Sequence, residues 1–278
     1  MAKRIIVAVI FVPILLALML FAPPLLWAAV VAFISALAAF ELLRAAGEDR
    51  VTVPMKVIAV ASAAVIPVAR LYEFATLAAY FCAFLVAAVS FWCAIRAYDE
   101  GDAKIGFAQV LLNIFAGMVM PLALSSLVVL KAMDHGQYLV LLAVLLAFIT
   151  DAGAYFAGVF LGKHRGITRV SPNKSLEGYI GGFLTGVIFA VLYGLVVSRI
   201  SGASANYRSL ALCGLFGALA TELGDLSFSF VKRQYGVKDY GHLLPGHGGM
   251  LDRFDSMFFC GPVVLFIVTL LPAFTGVA

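Results

Sequence analysis

The chain has 278 residues, of which 64% are hydrophobic and 12% charged, with a formal net charge of +4. The charged share is about half that of an average soluble domain, so no water-soluble fold could hide this much apolar surface and lipid must solvate most of it. No basic tail and no basic patch interleaved with aromatics points to nucleic acid.

A spanning helix needs roughly 20 mostly apolar residues. Nine such stretches follow one another, at 5–21, 25–43, 53–69, 74–96, 105–130, 138–161, 178–198, 209–231 and 256–274. The expected fold is therefore all-α, a polytopic transmembrane helical bundle of about nine spanning helices. The first stretch follows Lys3 and Arg4. No small-residue cleavage site closes it, and Pro23-Pro24 leads directly into the second, so it reads as a retained signal-anchor helix. The third, with Pro54, Lys56 and Pro67, is the weakest. The first five stretches carry few interior charges and read as scaffold, lipid contact or subunit contact. This divides the chain into a scaffold over residues 1–137 and a catalytic transmembrane region over 138–278. Cys82, Cys93, Cys213 and Cys260 lie in or beside apolar stretches and form no CxxC pair, as expected for small buried hydrophobes.

Lys and Arg in the connections set the orientation. With the N-terminus in the cytoplasm, that side holds 15 of the 19 basic residues. Two loops on that side, Gly162–Gly178 and Lys232–Ser256, are rich in Gly, Pro, Lys, His and Asp. The site is therefore expected at the cytoplasmic ends of the last four helices.

The sixth stretch contributes Asp151 and Tyr155, one turn apart, then Gly158 and Gly162. Asp151 suits either a buried hydrogen-bonded carboxylate or a substrate contact. In the loop that follows, Ser171 and Pro172 read as a helix cap and first-turn pair. Lys174, Ser175 and Glu177 are left to form a polar wall. On the eighth stretch Glu222, Asp225, Ser229, Lys232 and Arg233 fall on one narrow stripe at about 100° per residue. Ionised groups in a membrane cost on the order of 2.5–3.5 kcal/mol each. The stripe must face a partner, an ion or a wet cavity; an internal salt bridge locking two helices would be the plainest solution.

Lys238-Asp239 comes next, then Pro245-Gly246-His247-Gly248-Gly249, then Asp252-Arg253-Phe254-Asp255-Ser256. Gly246, Gly248 and Gly249 would let backbone N–H groups approach an anion. Lys and Arg nearby would supply positive charge for phosphates. Asp252 and Asp255, three residues apart at the start of the ninth helix, would share a face. Carboxylates beside a phosphate cradle would repel the substrate unless a divalent cation stood between them, and hard oxygens suit Mg²⁺. His247 fits a hydrogen-bond donor or proton shuttle as well as a loop residue that satisfies backbone; His164 and His242 read as surface residues.

This run resembles the signature of the phosphatidate cytidylyltransferases, or CDP-diacylglycerol synthases. The family pattern is Ser, two residues, Lys-Arg, four residues, Lys-Asp, five residues, Pro-Gly-His-Gly-Gly, two residues, Asp-Arg, one residue, Asp. From Ser229 to Asp255 every fixed position fits. Upstream, Gly224-Asp225 and the Ser-Pro-x-Lys element at Ser171–Lys174 also look like the family's. The chain departs from it where Ser175 replaces a frequent Thr and Leu176 a frequent Trp.

The resemblance implies a Mg²⁺-dependent, homodimeric, multi-pass enzyme of the cell inner membrane with its active site on the cytoplasmic side. Its substrates would be CTP and phosphatidic acid, and its setting membrane lipid. Asp225 and Asp252 would be the metal-binding carboxylates. Lys232, Arg233, Lys238, Asp239, Arg253 and Asp255 match further signature positions. A CTP-dependent lipid kinase of the polyprenol or phytol type, and an ion-coupled transporter, are the competing readings.

Overall fold

The computed structural model describes residues 2–47, 50–101, 104–243 and 248–276. Pro245, Gly246 and His247 of the expected phosphate loop lie outside the described residues. Helices come in the order α1 (Ala2–Phe21), α2 (Pro24–Ala46), α3 (Val53–Ala69), α4 (Ala75–Asp99), α5 (Phe107–Ala132), α6 (Gly136–Phe160), α7 (Leu176–Ser201), α8 (Tyr207–Gln234), α9 (Leu251–Phe254) and α10 (Met257–Leu270). Two-residue strands, β1 (Ser204–Ala205) and β2 (Phe274–Thr275), pair antiparallel with Ser204 opposite Thr275.

The fold is an all-α polytopic membrane bundle, with a helix at each of the nine expected places. Among the described residues seven are long and apolar enough to cross a membrane: α2, α4, α5, α6, α7, α8 and the stretch Leu251–Leu270. Phe11–Phe21 and Val53–Ala69 are shorter. The 17 residues of α3 rise only about 25 Å, against a hydrocarbon core of roughly 30 Å.

Two compact units divide the chain: residues 1–129 with 231–254, and residues 130–230 with 255–278. Val231–Phe254, which contains most of the signature, thus groups with the N-terminal helices.

In the first unit α3 packs against α2 and α4. Trp27 of α2 is buried, and its indole N–H donates to the Leu127 carbonyl at 3.0 Å. Asn113 of α5 donates to Ser90 of α4 at 2.8 Å. The middle of α5 widens into a π-turn at Phe115–Val119. There a Cβ on Gly117 would stand 2.9 Å from Ala59 Cα, so glycine sets how closely α5 lies on α3.

In the second unit α6 packs along α7 and also meets α10. Small residues permit the approach: a Cβ on Gly182 would stand 3.1 Å from Ala154 Cβ, and one on Gly186 2.9 Å from Ala218 Cβ of α8. Phe228 of α8 meets Phe258 of α10 edge to face, with centroids 5.3 Å apart.

Two local expectations are corrected. Ser171 does not cap α7. Ser175 does, accepting from the Gly178 N–H at 3.1 Å, while the Ser171 N–H donates to Thr168 Oγ1 at 3.3 Å. Four residues of non-helical chain separate Ser171 from Leu176, so its hydroxyl precedes the first turn and Pro172 cannot be a first-turn proline. Nor do Asp252 and Asp255 open one continuous helix. Asp252 lies in α9, and a turn at Asp255–Ser256 precedes α10.

Candidate functional site

Within the second unit a cavity of about 400 Å³ lies among α6, α7, α8 and the loop after α6. Asp151 and Tyr155 from α6, Arg165, Asn173, Lys174 and Ser175 from the loop, Tyr179 from α7, and Glu222 and Asp225 from α8 line it. At the three-residue spacing of Glu222 and Asp225, two side chains share one face of a helix, and Lys174 answers both. Its Nζ is 2.6 Å from Glu222 Oε2 and 2.6 Å from Asp225 Oδ2. Burial alone would depress the Lys174 ammonium, but the charges of Asp225 and Glu222 outweigh it and hold the group above the ordinary lysine range. The Tyr179 ring adds a cation–π contact at 5.4 Å. The internal salt bridge considered from the sequence is therefore formed. It leaves Glu222 Oε1 buried with no hydrogen-bond partner.

The loop that delivers Lys174 is held by its own polar residues. Lys163 and His164 backbone N–H groups donate to Glu177 Oε2 at 3.1 and 3.2 Å. His164 Nδ1 lies 2.6 Å from Glu177 Oε1. Glu177 thus fastens the loop instead of facing the cavity, and Ser175, which does line it, also caps α7. Asp151 Oδ2 accepts from Ser256 Oγ at 3.3 Å. Asp255 Oδ1 accepts from the Ser256 N–H at 2.8 Å.

Within the first unit the signature builds a second polar cluster. Lys232 Nζ lies 3.0 Å from Asp252 Oδ1, and the Asp252 side chain is 2% exposed. Backbone N–H groups of Tyr240 and Gly249 donate to Asp252 Oδ2 at 2.8 and 2.9 Å. Gly248 has φ +85°, and a Cβ there would stand 2.8 Å from Asp252 Oδ2, so glycine is required on both counts. Arg233, Lys238 and Arg253 are exposed; Asp239 and Ser229 are half-buried.

Two residues of α2 escape a reading by sequence alone. Glu41, 5% exposed, accepts from the N–H groups of Met250 and Leu251 at 3.0 and 2.8 Å. Arg44 Nη2 donates to the Tyr240 carbonyl at 3.0 Å. The available signal was a lone acid within a 23-residue apolar helix.

The oxygen donors suit a hard cation in chemistry. Glu222 keeps a buried oxygen without a partner. A carboxylate has about four acceptor positions, and among the described residues three bonds to Asp252 leave one on Oδ1. Among the described residues no group of three or more His, Cys, Asp or Glu is arranged to hold a metal; lysine ammonium groups balance both Asp225 and Asp252.

The profile of the cytidylyltransferase family matches residues 2–271. Proteins named phosphatidate cytidylyltransferase are similar in part. The one from Bacillus subtilis (strain 168) is 41% identical over 137 residues, 49% of this chain and 49% of that protein. The one from Thermotoga maritima is 42% identical over 139 residues, 50% of this chain and 52% of that protein. The chain thus spans about half the length of the curated relatives it matches.

Proposed function

Because the chain belongs to the cytidylyltransferase family, we propose that it transfers CMP from CTP to phosphatidic acid, giving CDP-diacylglycerol and pyrophosphate. The observation that carries the reading is the Lys232–Asp252 ion pair. It joins two fixed signature positions and ties the glycine loop to the end of α8. A phosphate oxygen of phosphatidic acid forms the new bond to the α-phosphorus of CTP. The bond from that phosphorus to the bridging oxygen breaks, and pyrophosphate leaves with the electron pair. The nucleophile is already anionic at neutral pH, so no strong general base is needed. The obstacle is bringing two anions together.

Asp225, just ahead of the signature, and Asp252, a fixed position within it, are each proposed as a ligand for Mg²⁺. Bound there, the ion would neutralise phosphate charge and orient the triphosphate. Lys174 and Lys232 now balance acids, and would be free to turn toward phosphate oxygens once those acids were otherwise neutralised. Arg233, Lys238 and Arg253, exposed around the same loop, stabilise the charge that develops on pyrophosphate. Asp151, Ser175 and Asn173 line a cavity large enough for a phosphorylated headgroup or a ribose. The enzyme acts as a homodimer in the cell inner membrane, with CTP arriving from the cytoplasmic side and the lipid from the bilayer.

Labelled CTP tests this. Purified protein, given phosphatidic acid and CTP, is expected to place an α-phosphate label in the lipid and a γ-phosphate label in pyrophosphate. Label from the γ position in the lipid would make the protein a lipid kinase and end the proposal.

A further inference from the structure

We propose that Glu41, on a helix otherwise read as scaffold, is a positioning residue for the signature loop. The proposal rests on the reading that this loop serves the nucleotide's phosphates. Glu41 and Met250 are 209 residues apart in sequence, yet both carboxylate oxygens of Glu41 are engaged by the loop: Oε1 by the Met250 N–H and Oε2 by the Leu251 N–H. Among the described residues Glu41 forms no salt bridge. A buried carboxylate in an apolar helix is costly unless its charge does something a neutral group cannot.

The geometry identifies that something. Two adjacent backbone N–H donors need acceptors on both oxygens, which a carboxylate offers and an amide does not. The glycines agree. A Cβ on Gly241 or on Gly249 would collide with the Glu41 carboxylate, so part of the loop's glycine content makes room for this side chain. Met250 and Leu251 stand directly between Gly249 and Asp252. Holding their N–H groups fixes where Asp252 points and keeps the Gly249 N–H on Asp252 Oδ2. Arg44, one turn further along α2, holds the other end of the loop through the Tyr240 carbonyl.

The test is Glu41→Gln, which preserves shape but sets an NH₂ group against one of the two N–H donors. For liponucleotide synthesis, kcat/KM for CTP is expected to fall on the order of tenfold or more. KM for phosphatidic acid should stay within about twofold, and the melting temperature in detergent should be nearly kept. Hydrogen exchange at the Met250 and Leu251 amides should accelerate. Unchanged kinetics would overturn the proposal, as would equal losses toward both substrates in step with lost folded protein. If Glu41→Gln does not fold, Gly241→Ala, which crowds the same carboxylate from outside the phosphate cradle, must show the same split between substrates. If the wild-type protein makes no liponucleotide, the functional reading fails by itself. Hydrogen exchange at Met250 and Leu251 then decides the role of Glu41: protection retained in Glu41→Gln refutes it.

Discussion

Lys174 stands between two carboxylates with one charge to share, and this imbalance governs what its removal does. Lys174→Ala leaves Glu222, whose side chain is 4% exposed, as a buried anion without its counter-ion. The expected loss is on the order of 3 kcal/mol, read as a lower midpoint of thermal unfolding in detergent. Replacing Glu222 by Gln in the same chain removes the stranded charge and should restore much of the loss; additive losses would show that the pair is not coupled. At this scale the sequence was readable where chemistry is local. The stripe of Glu222 and Asp225 on α8 was visible from spacing, and so was the option of a salt bridge. The identity of its partner was not, because Lys174 is 48 residues from Glu222 and loop geometry decides where it reaches. Ser171 and Ser175 show a finer limit. Either could cap a helix, and only the path of the loop, fastened by Glu177, determines which one does.

Among elements, packing through small residues sets how closely chains approach. A Cβ on Gly224 of α8 would stand 2.8 Å from the Asp255 carbonyl oxygen and 2.9 Å from Ser256 Cα. Both are backbone atoms and cannot swing aside. Gly224→Ala should therefore destabilise by about 1–3 kcal/mol and reduce activity by displacing the turn before α10. Wild-type stability in that variant, measured by thermal unfolding, would contradict the contact. Hydropathy alone located the apolar helices seen among the described residues, because each must offer lipid an apolar surface over most of its length. It did not register the π-turn in α5, since the residues of Phe115–Val119 are as apolar as those around them. Nor did it register the turn at Asp255–Ser256, where polar side chains compete for backbone N–H groups. The role of α2 was hidden for a related reason: one Glu in 23 residues leaves no periodicity to read.

For the whole molecule, the division into compact units puts Asp252 and the glycine loop with the N-terminal helices, and Asp225 with the later ones. Both acids are balanced by lysine, Asp225 by Lys174 and Asp252 by Lys232. This repeated pairing of an acid with a lysine fits the proposed handling of a polyphosphate and a divalent ion. Each lysine can satisfy a carboxylate before substrate arrives and an anionic oxygen afterwards. The signature and the elements upstream of it were sufficient to find these residues, but not to show that each acid already has a cation. The most direct measurement is the rate of CDP-diacylglycerol formation from CTP and phosphatidic acid, wild type against Asp225→Asn, each in EDTA and after Mg²⁺ is restored. Mg²⁺-dependent synthesis is expected from the wild type, with a rate on the order of 10² lower in folded Asp225→Asn. Equal rates in the two proteins, or wild-type synthesis that EDTA leaves unchanged, would contradict it.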